Sequence, residues 1–434
     1  MNSFILNDLF VFKFFSEYEN ISNNHKLEKA SFFGHSFLIQ TFISKRYVNF
    51  NWALEHACLG GHLNTVKFII LKGANKWDWG LFGACQGGHR FLVEFMIKNG
   101  ATDWNIALQG ACQGGHFDLV NFMIYKGADS WDLGLIGACE GGHKYLAEYM
   151  MKKGVKNLSY GLYGACRGGH RDLAEWIIEK GAHDWNFGLG GACIGGHLKL
   201  AKWMILKGAF DTEWAYSRAC RGGHLDIVEM LTPSAPFDIG MAIKSACYGD
   251  HLHVVHFLLQ HYNITDSHFN SGLENACMSG SLDIVKLMIQ NGADNWSSGL
   301  HGASLAGMSD FAYLMIEKGA DDFNYALFGA CLGGHKDLAI FFILKGANNF
   351  NQGLYGACRG GHRDLAEWII QKGANDFNYA FLIACENGHI DLVNLMISYG
   401  VNTWNKGLYY ANLGNNPKLA KLLIQKGADP SYPT

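Results

Sequence analysis

Twelve cysteines occupy positions 58, 85, 112, 139, 166, 193, 220, 247, 277, 331, 358 and 385. Successive gaps are 27 residues, except for 30 between Cys247 and Cys277 and 54 between Cys277 and Cys331, where Ser304 fills the intervening slot. An alanine precedes each, and the alanine series runs in fifteen copies from Ala30 to Ala411. A fixed period of this length predicts a solenoid or a similar array, in which each repeat is one supersecondary unit. The composition agrees with a packed chain. The 434 residues are 49% apolar and 17% charged, enough to bury a large core. The formal net charge of −3 argues against a nucleic-acid partner, since phosphate binding needs a basic surface. No apolar run reaches the length of a membrane span. Met1 to Phe15 is apolar but interrupted by Asp8 and Lys13 and lacks a positive leading region. No secretion signal is expected, and an intracellular, thiol-reducing setting follows.

One unit, Trp77 to Asp103, can be read locally. Asp78 suits a helix N-cap, as do Asn105, Asn186, Asn324 and Asn405 in other units. Leu81, Ala84 and Cys85 then form one stripe of a short helix. Gly87-Gly88 ends it, with Gly88 at the left-handed stop. A second helix follows from about Arg90 to Lys98, with a wide apolar face of Leu92, Val93, Phe95, Met96 and Ile97, and Gly100 stops it. Ordering such a unit costs roughly 40 kcal/mol at about 1.5 per residue. Offsetting that needs about 1,600 Å² of apolar burial at about 25 cal/mol/Å². A lone unit cannot supply this area, so each must stack on its neighbours.

The string Leu162-Tyr-Gly-Ala165-Cys166-Arg-Gly-Gly169-His170 through Gly181-Ala182 resembles the ankyrin repeat. Leu162 matches the leucine of the family's Thr-Pro-Leu-His motif, Ala165-Cys166 its paired alanines, Gly169-His170 its Gly-His turn, and Gly181-Ala182 the Gly-Ala after its second helix. The likeness covers about residues 24–429. The 27-residue form with an aromatic turn looks like ankyrin-repeat proteins encoded by giant DNA viruses of amoebae, which would place the chain in a host cytoplasm. The family's Thr-Pro start is missing, and six residues are absent where its β-hairpin projects. The resemblance therefore implies an all-α, ankyrin-type helical-repeat solenoid of about 15 two-helix units, with the β-hairpin fingers reduced to turns. Residues 161–178 and 353–370 are identical over 18 positions, a sign of duplication within the array.

Residues 1–23 are expected to form an N-terminal helical cap, and 24–231 a first sub-array. In 232–270, Thr232-Pro-Ser-Ala-Pro236 replaces the Lys-Gly-Ala stop, and three extra residues enter between Leu259 and Asn270. This stretch reads as an irregular repeat serving as a rigid hinge, or else as a binding loop. Residues 271–434 form a second sub-array with a C-terminal cap.

Cys-x3-His recurs, as in Cys58/His62, Cys139/His143 and Cys358/His362, and suggests a metal or thiol-redox protein as one alternative. Geometry opposes it. Stacked helices lie about 8–10 Å apart, beyond the reach of a disulfide. One unit offers two of the four ligands zinc requires. Cysteine reads better as a small buried hydrophobe and histidine as a turn residue bonding backbone groups. Carboxylates such as Asp172 and Glu175 are copied from unit to unit, whereas an active site needs unique groups. No catalytic residue, cofactor or metal is expected. The aromatic turn slot (Trp77, Trp104, Trp131, Trp185, Phe350 and others) reads as packing between units.

Function should sit where the copies differ. Opposite the Leu-Ala-Cys stripe, the first helix carries a trio that varies: Trp79, Phe82 and Gln86; Ile106, Gln109 and Gln113; Leu133, Ile136 and Glu140; Tyr160, Tyr163 and Arg167. Further on come Trp214, Ser217 and Arg221; Tyr325, Phe328 and Leu332; Gln352, Tyr355 and Arg359; and Tyr379, Leu382 and Glu386. Tyrosine, tryptophan and arginine are the residues of interface hot spots. Eight units place glycine beside this trio (Gly83, Gly110, Gly137, Gly164, Gly191, Gly302, Gly329, Gly356). A mid-helix glycine costs about 1 kcal/mol against alanine, so it predicts close approach between first helices, with the trio on the concave side. The expectation is a non-catalytic scaffold for protein–protein interaction, monomeric, with no membrane or nucleic-acid partner. The resemblance implies a protein partner, a host protein under the viral likeness. The alternative within that family is a substrate-receptor adaptor of a ubiquitin ligase; residues 1–23 are short, and at the wrong end, for the usual adaptor segment.

Overall fold

The computed structural model describes residues 22–43, 48–232, 238–414 and 416–431. Among them are 30 α-helices and no strand. The helices alternate in antiparallel pairs at the sequence period, from Asn23–Phe32 with Ser36–Ile43 to Trp404–Leu413 with Pro417–Gln425. The fold is all-α, and the expected hairpin fingers are indeed short turns. The expected helical cap falls on residues 1–21, outside the described residues, and on Ser22 and Asn23, which begin the first helix. Ser22 is its N-cap.

The local reading of one unit holds at most positions. The first helix spans Trp77–Gln86 and the second Arg90–Lys98. Gly88 takes φ +76° and Gly100 φ +112°, conformations that only glycine adopts freely. Leu81, Ala84, Cys85, Leu92, Val93 and Met96 are buried. The N-cap reading needs correction. Asp78 is the second residue of its helix, and the cap position belongs to Lys76, which makes no side-chain cap bond. Elsewhere Asp103, Asp184, Asp211, Asn295 and Asp376 cap the first helices. Residues such as Asn105 lie two positions further in and bond the next unit instead. The aromatic turn residue makes contacts of both kinds. Within its own unit, a Cβ on Gly100 would lie 3.6 Å from the Trp77 ring; between units, Trp404 meets Phe381 edge-on at 6.1 Å.

The chain divides into two compact bodies, one ending at His268 and the other starting at Phe269. In each, first helices pack against the next unit's first helix far more closely than second helices pack on one another. The first helices thus lie on the inner side of the curve. The break after Leu231 shortens a second helix to 7 residues; residues 233–237 lie outside the described residues. The three-residue insertion lengthens the following first helix, Asp266–Ser279, to 14 residues.

Within the first body the curvature is strong enough to bring its ends together. Asn24, on the first helix, donates to Asp250 at 3.4 Å. The His25 and His251 rings stack with centroids 5.6 Å apart, and Trp52 meets Tyr248 edge-on at 6.5 Å. Asp250 occupies the slot that is glycine in most units, with φ +60°, and is buried. Eight unit steps therefore complete one turn.

Candidate functional site: the inner face of the first helices

Three sets of contacts hold the inner helices in register. The first is steric. A Cβ on Gly83 would lie 2.3 Å from the Glu55 carbonyl, and one on Gly356 would lie 2.5 Å from that of Phe328. Glycine here admits backbone contact between stacked helices, as its sequence position implies. Where the slot holds Ser245, Ile383 or Tyr410, the stack is looser.

The second is the histidine. The Nε2 of His89 donates to the carbonyl of Leu59 (3.1 Å), His116 to Gln86 (3.1 Å) and His170 to Glu140 (3.0 Å). Each acceptor ends the previous unit's first helix, where carbonyls lack a helical partner. The expected backbone bonding of histidine is thus a clasp between units. The third is the Asn or Asp at the second helix position. Asp78 accepts from the backbone N–H groups of Thr102 (2.7 Å) and Asp103 (2.9 Å), and Asn105 does the same for Asp129 and Ser130.

On this frame the varying trio is left accessible. Of the twenty-four residues assigned to it from sequence, Ile136 alone is buried, whereas the Leu, Ala and Cys of the same helices are buried. Arg221, Tyr325, Gln352, Arg359 and Tyr379 are exposed, and Trp79, Phe82, Gln86, Ile106, Gln109, Phe328, Tyr355 and Glu386 are half-buried. The structure joins several of them across units. Gln113 donates to Glu140 at 3.0 Å, and Arg167 pairs with the same carboxylate at 3.3 Å. Tyr163 faces Trp214 with centroids 6.5 Å apart, and Tyr355 meets Tyr379 edge-on at 4.8 Å. The Tyr355 hydroxyl donates to Asp376.

Other residues of the same face were not picked out from sequence. Phe187 lies between Tyr160 (5.5 Å) and Trp214 (5.9 Å). His301 stacks on Tyr325 at 3.9 Å while its Nδ1 meets Glu274 at 2.9 Å. Trp52, Glu55 and Tyr248 share these slots, so carrying the trio through every unit would have found them. Arg218 could not be found that way, because it stands in the glycine slot.

Burial pushes the Glu55 carboxyl up to about 7, with the Arg167 charge pulling the other way. Burial also raises Glu140, again opposed by Arg167 and by the Gln113 bond. Glu55 and Arg167 stand four units apart, so inner groups on well-separated units sense each other's charge. Glu28 is raised well above the usual carboxylate range by burial and by Glu55 and Asp250.

All twelve cysteines are buried. Burial raises every thiol, those of Cys85, Cys112 and Cys166 up to about 12. A nucleophilic or metal-binding sulfur needs the thiolate, so this environment opposes the chemistry that the Cys-x3-His spacing suggests.

No helix among the described residues is long and apolar enough to cross a membrane. No curated protein matches the chain. Among solved structures, the human ASB11 ankyrin repeat domain aligns at 18% identity, over 56% of this chain and 99% of that one, with a TM-score of 0.23. The pentatricopeptide repeat protein PPR10 from maize aligns at 14% identity, over 97% of this chain and 72% of that one, with a TM-score of 0.26. Residues 217–298 and 354–434 match the family described as ankyrin repeats (three copies). Those two stretches carry ankyrin repeats, and a two-helix unit recurs through the described residues.

Proposed function

We propose that the chain is a non-catalytic scaffold that binds a partner protein along the inner first-helix face. The observation that carries this reading is the contrast within each first helix. The Leu, Ala and Cys positions repeat and are buried, while the trio varies, stays accessible and holds aromatic and charged residues. Aromatic anchors such as Tyr160, Tyr163 and Trp214 would supply apolar contact area, and Arg167, Arg221, Arg359, Glu140 and Glu386 would set charge complementarity. Ankyrin repeats generally serve as interaction scaffolds, which supports the class of function. The likeness to giant-virus proteins makes a host protein the partner we favour.

The test is affinity purification with mass spectrometry, comparing the wild-type chain with a Tyr160/Tyr163/Arg167→Ala variant of the same thermal stability. Proteins recovered by the wild type should be lost from the variant. Recovery of the same set by both would show that this face is not the binding surface.

A further inference from the structure

One part of the inner face is built differently from the rest. The glycine slot holds glycine in five successive units, from Gly83 to Gly191, and then Arg218 and Ser245. These larger residues loosen the stack there, and a cavity of about 430 Å³ opens, lined by Trp214, Ser217, Arg218, Arg221, Met241 and Ser245 among others. One unit earlier, Gly190 replaces the bulky middle member of the trio. A Cβ there would fall 1.8 Å from the Trp214 ring, so Gly190 is the seat on which that ring lies.

The charge is equally uneven. Arg218 lies 4.8 Å from the Trp214 ring centre, and Arg221 lies 4.6 Å from that of Tyr248. Neither has an ion pair among the described residues. Arg167, by contrast, has Glu140. The two carboxylates at the cavity rim are already engaged with backbone N–H groups: Asp211 accepts from Trp214, and Glu213 accepts from Asp238. Partial burial, with the nearby charges of Arg221 and Arg167, lowers the pKa of Arg218. Two guanidinium groups thus stack on aromatic faces while their N–H donors lack a carboxylate, beside a cavity.

We propose that this cavity receives carboxylate side chains of an extended acidic peptide segment, held by Arg218 and Arg221 and packed against Trp214. The inference rests on the scaffold reading above and names the chemistry of the partner. A carboxylate matches the fork of a guanidinium. An extended chain fits because the first body closes on itself within eight unit steps, leaving its interior lined on all sides. A nucleic-acid strand fits less well, since two guanidinium groups at one cavity suit a few discrete carboxylates, whereas a continuous phosphate backbone calls for a longer basic track.

The experiment is fluorescence anisotropy on the full chain with a labelled twelve-residue glutamate-rich peptide, and with the same peptide carrying glutamine in place of glutamate. The acidic peptide should bind at least ten-fold more tightly than the glutamine peptide, and added salt should narrow the difference. An Arg218→Gln/Arg221→Gln variant should lose at least ten-fold in affinity for the acidic peptide. Arg363→Gln, on an exposed second helix, should lose nothing. Equal binding of the two peptides by the wild type would overturn the proposal even if the double variant failed to fold. So would an unchanged double variant, or preferential binding of a single-stranded oligonucleotide that the double variant abolishes. If the acidic peptide fails while the Tyr160/Tyr163/Arg167→Ala variant still loses its captured proteins, the scaffold reading stands and this inference alone falls.

Discussion

His116 shows how much of this fold rests on single side chains. Its Nε2 donates to the Gln86 carbonyl of the preceding unit, and its ring lies against Gly88, where a Cβ would come within 2.5 Å of it. Asn416 takes the same role in the last pair, donating to the Glu386 carbonyl at 2.8 Å. His116→Ala should therefore cost about 1–2 kcal/mol, the price of leaving a carbonyl without its donor, and His116→Asn should cost less. Urea denaturation followed by circular dichroism checks the order; equal loss in both variants would mean the bond is unimportant. The thiols yield a second prediction. With all twelve buried and protonated, iodoacetamide at pH 8 should leave the native chain unmodified, and mass spectrometry should show twelve alkylations only after denaturation. Burial of the cysteines was legible in their regular spacing beside alanine. The partner of each histidine was not, because it lies 30 residues back, and no local pattern points to it.

At the scale of the helix, one slot sets the spacing of the stack. Gly356 lets its helix touch the backbone at Phe328, whereas Ile383 in the next unit holds the helices further apart. Gly356→Ala gains helix propensity but forces a Cβ against a carbonyl oxygen. The clash should win, with a loss on the order of 1–3 kcal/mol and a lower Tm by calorimetry. An unchanged or raised Tm would show that the stack yields without cost. The sequence exposed this slot because a glycine repeated mid-helix contradicts local propensity. It misplaced the Asx residues, reading Asp78 as an N-cap where its carboxylate bonds Thr102 and Asp103. Both roles call for the same side chain within two positions of a helix start. Identical segments also acquire different surroundings. Residues 161–178 and 353–370 have one sequence, yet Tyr163 faces Trp214 while Tyr355 bonds Asp376. The neighbours, and not the copied helix, decide what the inner face offers.

Across the first body, the accumulated curvature creates contacts between residues more than 220 positions apart. Asp250 accepts from Asn24 despite a backbone conformation that disfavours it. Asp250→Gly relieves the backbone but removes the carboxylate. Amide exchange across Asn23–Phe32 should then rise, and should rise further in Asp250→Ala; unchanged protection in both would show that this contact does not hold the turn closed. Glu55 links the inner face to pH. Its native pKa is raised to about 7 from the ordinary 4.5, so the native state keeps a proton that the unfolded chain releases. Its contribution is fully present below about 4.5 and is lost as the pH rises through about 7, on the order of 3 kcal/mol. Glu55→Gln should therefore be more stable than wild type at pH 8 and close to it at pH 4.5, as read by thermal melts at both. Equal melting differences at the two pH values would contradict the raised pKa.

The sequence by itself determined the unit, its two helices, the buried Leu-Ala-Cys stripe and the face that varies. All of these follow from interactions within 27 residues or from a pattern repeated at that distance. Only the tertiary structure decided that the first body meets itself at Asp250, that Trp214 lies over Gly190, and that Arg218 and Arg221 border a cavity. These depend on the small rotation between stacked units, set by backbone contact at one slot and summed over eight steps. A single unit does not encode such a sum.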